Sequence, residues 1–215
     1  MQINNYIEHT LLKVNCVQNQ IVQIVKQAIQ YQFYGICIPP HYVPHAKKML
    51  KNKLPKLISV AGFPLGYQNY KVKCKAINVL AQNGAQEVDV VTNIAAIKNK
   101  EWVYIHQEWE AIIKTAKANN LPLKIIIESA LMDEEELLRL CQLANQLKPN
   151  FIKTSTGFNG EGAELNKVAF LKKHLQASIQ IKASGGIKNA VQAKAYINAG
   201  ANRIGTSSGV EIVSV

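Results

Sequence analysis

Short β-rich apolar runs alternate with amphipathic helical stretches along the whole of this 215-residue chain, and that rhythm restricts its fold more than any other feature. The runs lie at 35–38, 57–61, 88–91, 123–127, 151–152, 179–183 and 204–205, and Tyr6 to His9 adds an eighth. Between them, Ile21, Ile24, Val25, Ala28 and Ile29 recur at helical spacing and mark one apolar face. Asp133, followed by Glu134, Glu135 and Glu136, reads as an N-cap with acids in the first turn. Lys167 to Leu175 and Ala190 to Ile197 supply two more helices. Strands separated by helices imply parallel βαβ units. Eight such units leave about 27 residues each, near the lower size limit of a TIM barrel. The expectation is an α/β fold, one TIM (β/α)8 barrel domain over 1–215. A doubly wound sheet of seven strands is the alternative. Neither G-x-G-x-x-G nor G-x-x-x-x-G-K-[ST] occurs, which weakens the nucleotide-binding version of that alternative.

Composition narrows the class further. At 48% hydrophobic and 18% charged, the chain can bury a sizeable core. It has no apolar run of about 18 residues or more, so no membrane partner is expected. The start, 1–10, has neither the basic opening nor the apolar stretch of a signal peptide. Cys16, Cys37, Cys74 and Cys141 are scattered without a C-x-x-C pair, which argues against a zinc ribbon or a disulfide scaffold. A cytoplasmic globule is the expected setting. The net charge of +11 comes from 23 Lys and only two Arg, Arg139 and Arg203, whereas bidentate phosphate and base recognition favours Arg. The lysines are spread out: Lys47, Lys48, Lys51, Lys53 and Lys56, then Lys71, Lys73 and Lys75, then Lys98, Lys100, Lys114 and Lys117. They read as a solvated basic surface, and no nucleic acid is expected as a partner.

Several residues sit where their chemistry is out of place. Asp89 is one of only two Asp, and it stands inside the run Glu87-Val88-Asp89-Val90-Val91. Period-two alternation sends Glu87 and Asp89 to one face, which in a barrel is the interior. A carboxylate there is either a buried salt bridge or a catalytic group. Lys153 and Lys182 end two consecutive strands, each followed by Ser or Thr and then Gly. Both strand ends fall at the C-terminal rim, where barrel chemistry sits. They would bring two ammonium groups together without an obvious pair of anions. A free lysine is neutral only about once in 2,500 at pH 7, and a neighbouring ammonium with partial desolvation is a physical route to a nucleophilic amine. Ser184-Gly185-Gly186 and Gly205 to Gly209 follow the last two strands, where many such barrels hold a phosphate. His41 and His45 are spaced i, i+4 among prolines with no carboxylate nearby, a poor metal site. Cys37 reads as a small core residue, and Trp102 and Trp109 as helix packing.

With these motifs in place, the chain resembles the deoxyribose-phosphate aldolases over nearly its whole length. The resemblance is carried by Ile7-Glu8-His9-Thr10-Leu11, Ile36-Cys37-Ile38-Pro39, Gly62-Phe63-Pro64-Leu65-Gly66, 87–91, Phe151 to Gly157, Lys182 to Gly186, and 203–209. It implies a TIM-barrel class I aldolase that reversibly cleaves 2-deoxy-D-ribose 5-phosphate to D-glyceraldehyde 3-phosphate and acetaldehyde. It also implies Lys153 as the Schiff-base lysine, Lys182 as the lysine that perturbs it, and Asp89 in proton transfer. Gly157, Gly185, Gly186, Gly205, Ser207 and Ser208 match phosphate positions, and Glu8, Cys37 and Thr154 match substrate contacts. Neither metal nor organic cofactor is implied. The partners are phosphosugar and aldehyde substrates, with a homodimer as one assembly open to the chain. A related imine-forming phosphosugar aldolase, or a non-catalytic basic binding protein on the same barrel, is the alternative. Three positions depart from the family pattern. Glu8 stands for the usual Asp, Lys188 for a common Arg, and 211–215 carries no C-terminal Tyr. These are expected to touch hydroxyl contact, phosphate affinity and rate rather than reaction type.

Overall fold

The structure, a computed structural model, describes residues 2–51, 54–160 and 162–214. Lys53 and Val215 therefore lie outside the described residues. Eight parallel strands run β1 (Ile7–Thr10), β2 (Gly35–Cys37), β3 (Lys56–Ala61), β4 (Glu87–Val91), β5 (Leu123–Ile126), β6 (Phe151–Lys153), β7 (Gln180–Ser184) and β8 (Arg203–Thr206). Each pairs with the next, and β8 pairs back to β1 through Ile7 and Ile204. That last pairing closes a TIM barrel and excludes the seven-stranded open sheet. The strand expected at Tyr6 to His9 begins one residue later, because Ile3–Tyr6 winds into a 3₁₀ turn.

The helices are α1 (Gln18–Gln30), α2 (Val43–Leu50), α3 (Tyr70–Gln82), α4 (Ile94–Lys98), α5 (Trp102–Ala118), α6 (Glu134–Leu147), α7 (Leu165–His174), α8 (Ala190–Asn198) and α9 (Gly209–Val213). In α1 the stripe Ile21, Ile24, Val25 and Ala28 is buried, while Ile29 is half exposed at the edge of that face. Asp133 caps α6: its carboxylate accepts from the Glu136 N–H, and Glu136 accepts from the Asp133 N–H. Trp109 is buried in α5 and donates its indole N–H to Thr92 Oγ1 at 2.8 Å.

Period-two alternation divides each strand between two cores. The outward side chains, among them Ile36, Leu57, Val88, Val90, Ile125, Ile152 and Ile181, pack against the helices in one continuous apolar cluster. The inward side chains form a small apolar cluster of Cys37, Ile58 and Val60. Besides the inward Val91, Ile126 and Phe151, the barrel's middle holds the charged Glu8, Glu87, Asp89, Lys124, Lys153 and Lys182, all buried. An interior of stacked aliphatic residues is the common solution for this fold. Three cations and three anions take that place here.

One lysine assigned to the solvated surface belongs inside. Lys73 on α3 is fully buried, with its ammonium donating to Glu108, to the Val91 carbonyl at 2.7 Å and to the Gly66 carbonyl. It lies four residues before Ile77 and seven before Leu80, on the buried face of its helix. Glu108 also accepts from Thr92 Oγ1 and the Asn93 N–H. This cluster ties the 62–66 loop to the end of β4. Lys73→Met is expected to leave Glu108 charged and buried without a cation, costing about 3–5 kcal/mol. Urea unfolding measures it, and a loss below about 1 kcal/mol would show that the pair is not structural.

Candidate active site

Lys153 and Lys182 are direct partners in the β6–β7 register, at the C-terminal end of the barrel. Asp89, across the barrel interior on β4, reaches both. Its Oδ2 accepts from Lys153 Nζ at 2.8 Å and from Lys182 Nζ at 2.7 Å. Lys182 also donates to Glu8 Oε2. The two amines are therefore bridged by anions, which corrects the expectation of a lysine pair without them. The physical reason is that β1 and β4 lie apart in the barrel, and their inward carboxylates meet the lysines through its centre rather than along the sheet.

Lys124 completes the cluster, and sequence reasoning missed it. It hydrogen-bonds Glu87 Oε2 and forms ion pairs at 3.1 Å with Asp89 Oδ1 and at 3.5 Å with Glu8 Oε1. Glu87 in turn accepts from the Tyr34 hydroxyl, whose ring lies 3.7 Å from the Arg203 guanidinium carbon. The chain of contacts thus runs from Lys153 to Arg203.

Burial opposes charge throughout this cluster, and the ion pairs outweigh it. Burial alone would raise Asp89, but Lys124, Lys153 and Lys182 hold its carboxyl well below the usual range. Burial likewise acts against Lys182 and Lys124, yet the carboxylates around each raise its ammonium above the ordinary lysine range. Cys37, fully buried and near Asp89, has its thiol pushed up to about 11 by burial first and by Asp89 second. It is an uncharged core residue at neutral pH.

A cavity of about 270 Å³ opens above the lysines. Lys153 forms part of its wall, together with Thr156, Gly157, Phe158, Ser184, Gly185, Gly186, Lys188, Gly205, Thr206 and Ser207, and with 10–13 on the other side. Gly185 has φ +90°, and a Cβ there would stand 2.7 Å from the Gly162 Cα. Glycine is required at that turn. Of the expected phosphate residues, Ser208 is the one absent from the wall; its N–H is taken by Thr206 Oγ1 at 2.9 Å. Glu8, Cys37 and Thr154 are fully buried below the cavity rather than on its wall. The Glu8 carboxylate is spent on Lys182 and Lys124, and the Thr154 hydroxyl exchanges hydrogen bonds with the Ser184 backbone.

Lys13, Thr156 and Phe158 are wall residues that sequence reasoning did not single out. Glu128 supports Thr156: its carboxylate accepts from the Thr156 N–H at 2.8 Å. Phe158 meets Phe63 edge to face with ring centroids 5.4 Å apart, joining the 157–160 and 62–66 loops at the mouth. Asn159 reinforces the junction with a bond to the Pro64 carbonyl.

A closed parallel barrel with paired strand-end lysines, a shared carboxylate and a glycine-rich cavity has the form of a barrel enzyme with its candidate site at the C-terminal ends of the strands. Comparison with known proteins identifies the kind. The model of the DeoC/LacD family aldolases matches residues 6–214. The deoxyribose-phosphate aldolase of Lactococcus lactis subsp. cremoris is 40% identical over 213 residues, spanning 99% of this chain and 96% of the relative. That of Thermococcus gammatolerans is 41% identical, again over 99% and 96%. The solved tetrameric deoxyribose phosphate aldolase of Aeropyrum pernix superposes with a TM-score of 0.90 at 30% identity, covering 98% of this chain and 89% of that one. The chain belongs to the DeoC/LacD family of aldolases and is a carbon–carbon lyase.

Gly205 lies against the site from β8. A Cβ there would stand 2.9 Å from Lys182 Cε and 2.9 Å from Ser184 Cβ. Gly205→Ala is expected to push Lys182 off Asp89 and lower kcat roughly tenfold or more in a folded protein, about the effect of one weakened charge-assisted bond. Steady-state kinetics beside a circular dichroism spectrum would read it. An unchanged kcat would show that Lys182 has room the structure denies it.

Proposed function

We propose that this aldolase cleaves 2-deoxy-D-ribose 5-phosphate reversibly to D-glyceraldehyde 3-phosphate and acetaldehyde through an imine on Lys153. One observation carries the choice of lysine. Lys153 is the member of the interior trio on the cavity wall, whereas Lys124 and Lys182 are fully buried beneath it. The neutral Lys153 amine adds to C1 of the open-chain sugar, and the carbonyl oxygen leaves as water. The C3 hydroxyl gives up its proton, the C2–C3 bond breaks, and its electron pair moves onto the iminium nitrogen. The resulting enamine is protonated at C2, and water then releases acetaldehyde and restores the amine. The iminium is itself the electron sink, so the sequence of steps draws on no cofactor.

Asp89 positions Lys153 by direct hydrogen bond and, through a water, exchanges the proton of the C3 hydroxyl. Lys182 stays an ammonium beside it, held by Glu8 and Asp89. Glu8 acts through Lys182 as its counter-ion. The phosphate is received by Gly185, Gly186, Gly205 and Ser207, with Gly157 beside Gly185 and the exposed Lys188 and Lys13 adding charge. The four cysteines are all free, which suits the reducing cytoplasm. Among the described residues no helix is long and apolar enough to cross a membrane. A homodimer is the assembly proposed. Exposed Val72 and Val79, on one face of α3, supply apolar surface for it, and light scattering measures it.

Borohydride reduction with acetaldehyde is expected to leave an ethyl group on Lys153, read by peptide mass mapping, and Lys153→Leu is expected to abolish turnover. Labelling spread over surface lysines would sink the mechanism, and preferential labelling of Lys182 would reverse the roles. The phosphate subsite has its own test. Unphosphorylated 2-deoxyribose loses two or three charge-assisted hydrogen bonds of roughly 1.5–3 kcal/mol each, so kcat/KM is expected to fall about a hundredfold or more. Equal efficiency on both sugars would remove the phosphate from the account.

A further inference from the structure

Asp89 is shared unequally among three lysines. Its Oδ2 accepts from Lys153 and Lys182, the pair at the mouth, while Oδ1 faces Lys124 at 3.1 Å. Lys124 pairs in register with Phe151, two residues before Lys153 on the same strand, so it lies one layer deeper. It is fully buried and has no part in the cavity wall. Substrate chemistry does not reach it, yet three carboxylates do. With all six groups ionised, Lys124, Lys153 and Lys182 balance Glu8, Glu87 and Asp89.

We infer that Lys124 is a positioning residue of the aldol reaction: as the register partner of Asp89 on the neighbouring strand β5 it anchors that carboxylate from the side and neutralises one buried carboxylate, so that Asp89 can hold Lys153 without locking a proton onto it. The inference rests on the reading of Lys153 as the imine-forming lysine. An attacking amine must first lose its proton, which leaves the balanced cluster one unit negative. Without Lys124 the cluster would start one unit negative and finish two. Each additional unpaired charge is costlier in a buried, weakly screened interior than in water.

Among the described residues, the surroundings contain no substitute cation for Lys124. Glu87 and Asp89 face it from β4, Glu8 from β1 and Lys182 from β7, while Lys153 on β6 reaches the far oxygen of Asp89. The Phe151 ring lies 5.5 Å from its Nζ, and Arg203 lies beyond that ring on β8, engaged with Tyr34. The Cys37 thiol on β2 is uncharged. Lys124, Lys153 and Lys182 all pull the Asp89 carboxyl down, and Lys124 does so by charge alone. Glu87 is the complementary handle, because it touches Lys124 and Tyr34 and lies off the cavity wall.

The test is the pH dependence of borohydride trapping at Lys153 with acetaldehyde, in wild type, Lys124→Met, Glu87→Gln and the double variant. Lys124→Met is expected to move the midpoint of trapping to higher pH by about one unit or more, so roughly tenfold less is trapped near pH 7. Glu87→Gln removes an anion and is expected to move the midpoint the opposite way. The double variant restores the balance, and its midpoint is expected between those of the two single variants. A folded Lys124→Met protein that traps more slowly at an unshifted midpoint would make Lys124 merely structural and overturn the inference. If Lys124→Met does not fold, Glu87→Gln decides alone: a lowered midpoint supports the inference and an unmoved one overturns it. Failure of the wild-type protein to trap at Lys153 would instead overturn the imine reading beneath it.

Discussion

The carboxylate of Asp89 is the point on which the interior of this barrel turns. Three lysines from three strands converge on its two oxygens, and two further carboxylates complete the charge balance. Such a cluster survives only where geometry leaves each group no better partner, because burying unpaired charge costs several kcal/mol per ion. A closed parallel barrel supplies that geometry: Lys124 stands beside Asp89 on the paired strand β5, and inward side chains from strands that do not pair with β4 meet Asp89 through the centre. Replacing buried ion pairs by apolar residues of similar shape is often neutral or stabilising. Stability alone is therefore a weak reason for this arrangement, and the chemistry proposed at Lys153 is a stronger one.

The pH behaviour of the cluster follows from the directions of its shifts. Asp89 is held below its ordinary range, so its contribution to stability is present above about pH 4 and is lost as acid approaches the folded value. Lys124 and Lys182 are held above theirs, so they contribute below about pH 10 and lose that contribution only as pH rises through their folded values. The neutral range lies inside both limits. The site above is divided in two, with the amine at the base of the cavity and glycine-rich loops with exposed lysines along its rim. A substrate with a carbonyl at one end and an anion at the other matches that polarity.

Much of this was legible in the sequence, for identifiable reasons. A charge inside an apolar strand betrays Asp89, and two lysines at strand ends before Ser/Thr and Gly betray Lys153 and Lys182. Lys124 emits the same signal as Asp89, inside Leu-Lys-Ile-Ile, but it is easily absorbed into an apolar run. Lys73 hides among Lys71 and Lys75, and only its helical spacing to Ile77 and Leu80 places it inside. What one-dimensional reading could not supply was contact across the barrel. Glu8 and Asp89 are far apart in sequence and on unpaired strands, so nothing local announces that both would neutralise Lys182.

The central claim is that Lys124 and Lys182 remain fixed cations around Asp89 while Lys153 does the chemistry. Side-chain NMR of protein carrying ¹⁵N-labelled lysine Nζ, assigned through conservative variants, reads this most directly. The account predicts that the Lys124 and Lys182 nitrogens keep ammonium shifts at every pH at which the protein traps acetaldehyde. A neutral-amine shift at either of them within that range would contradict it.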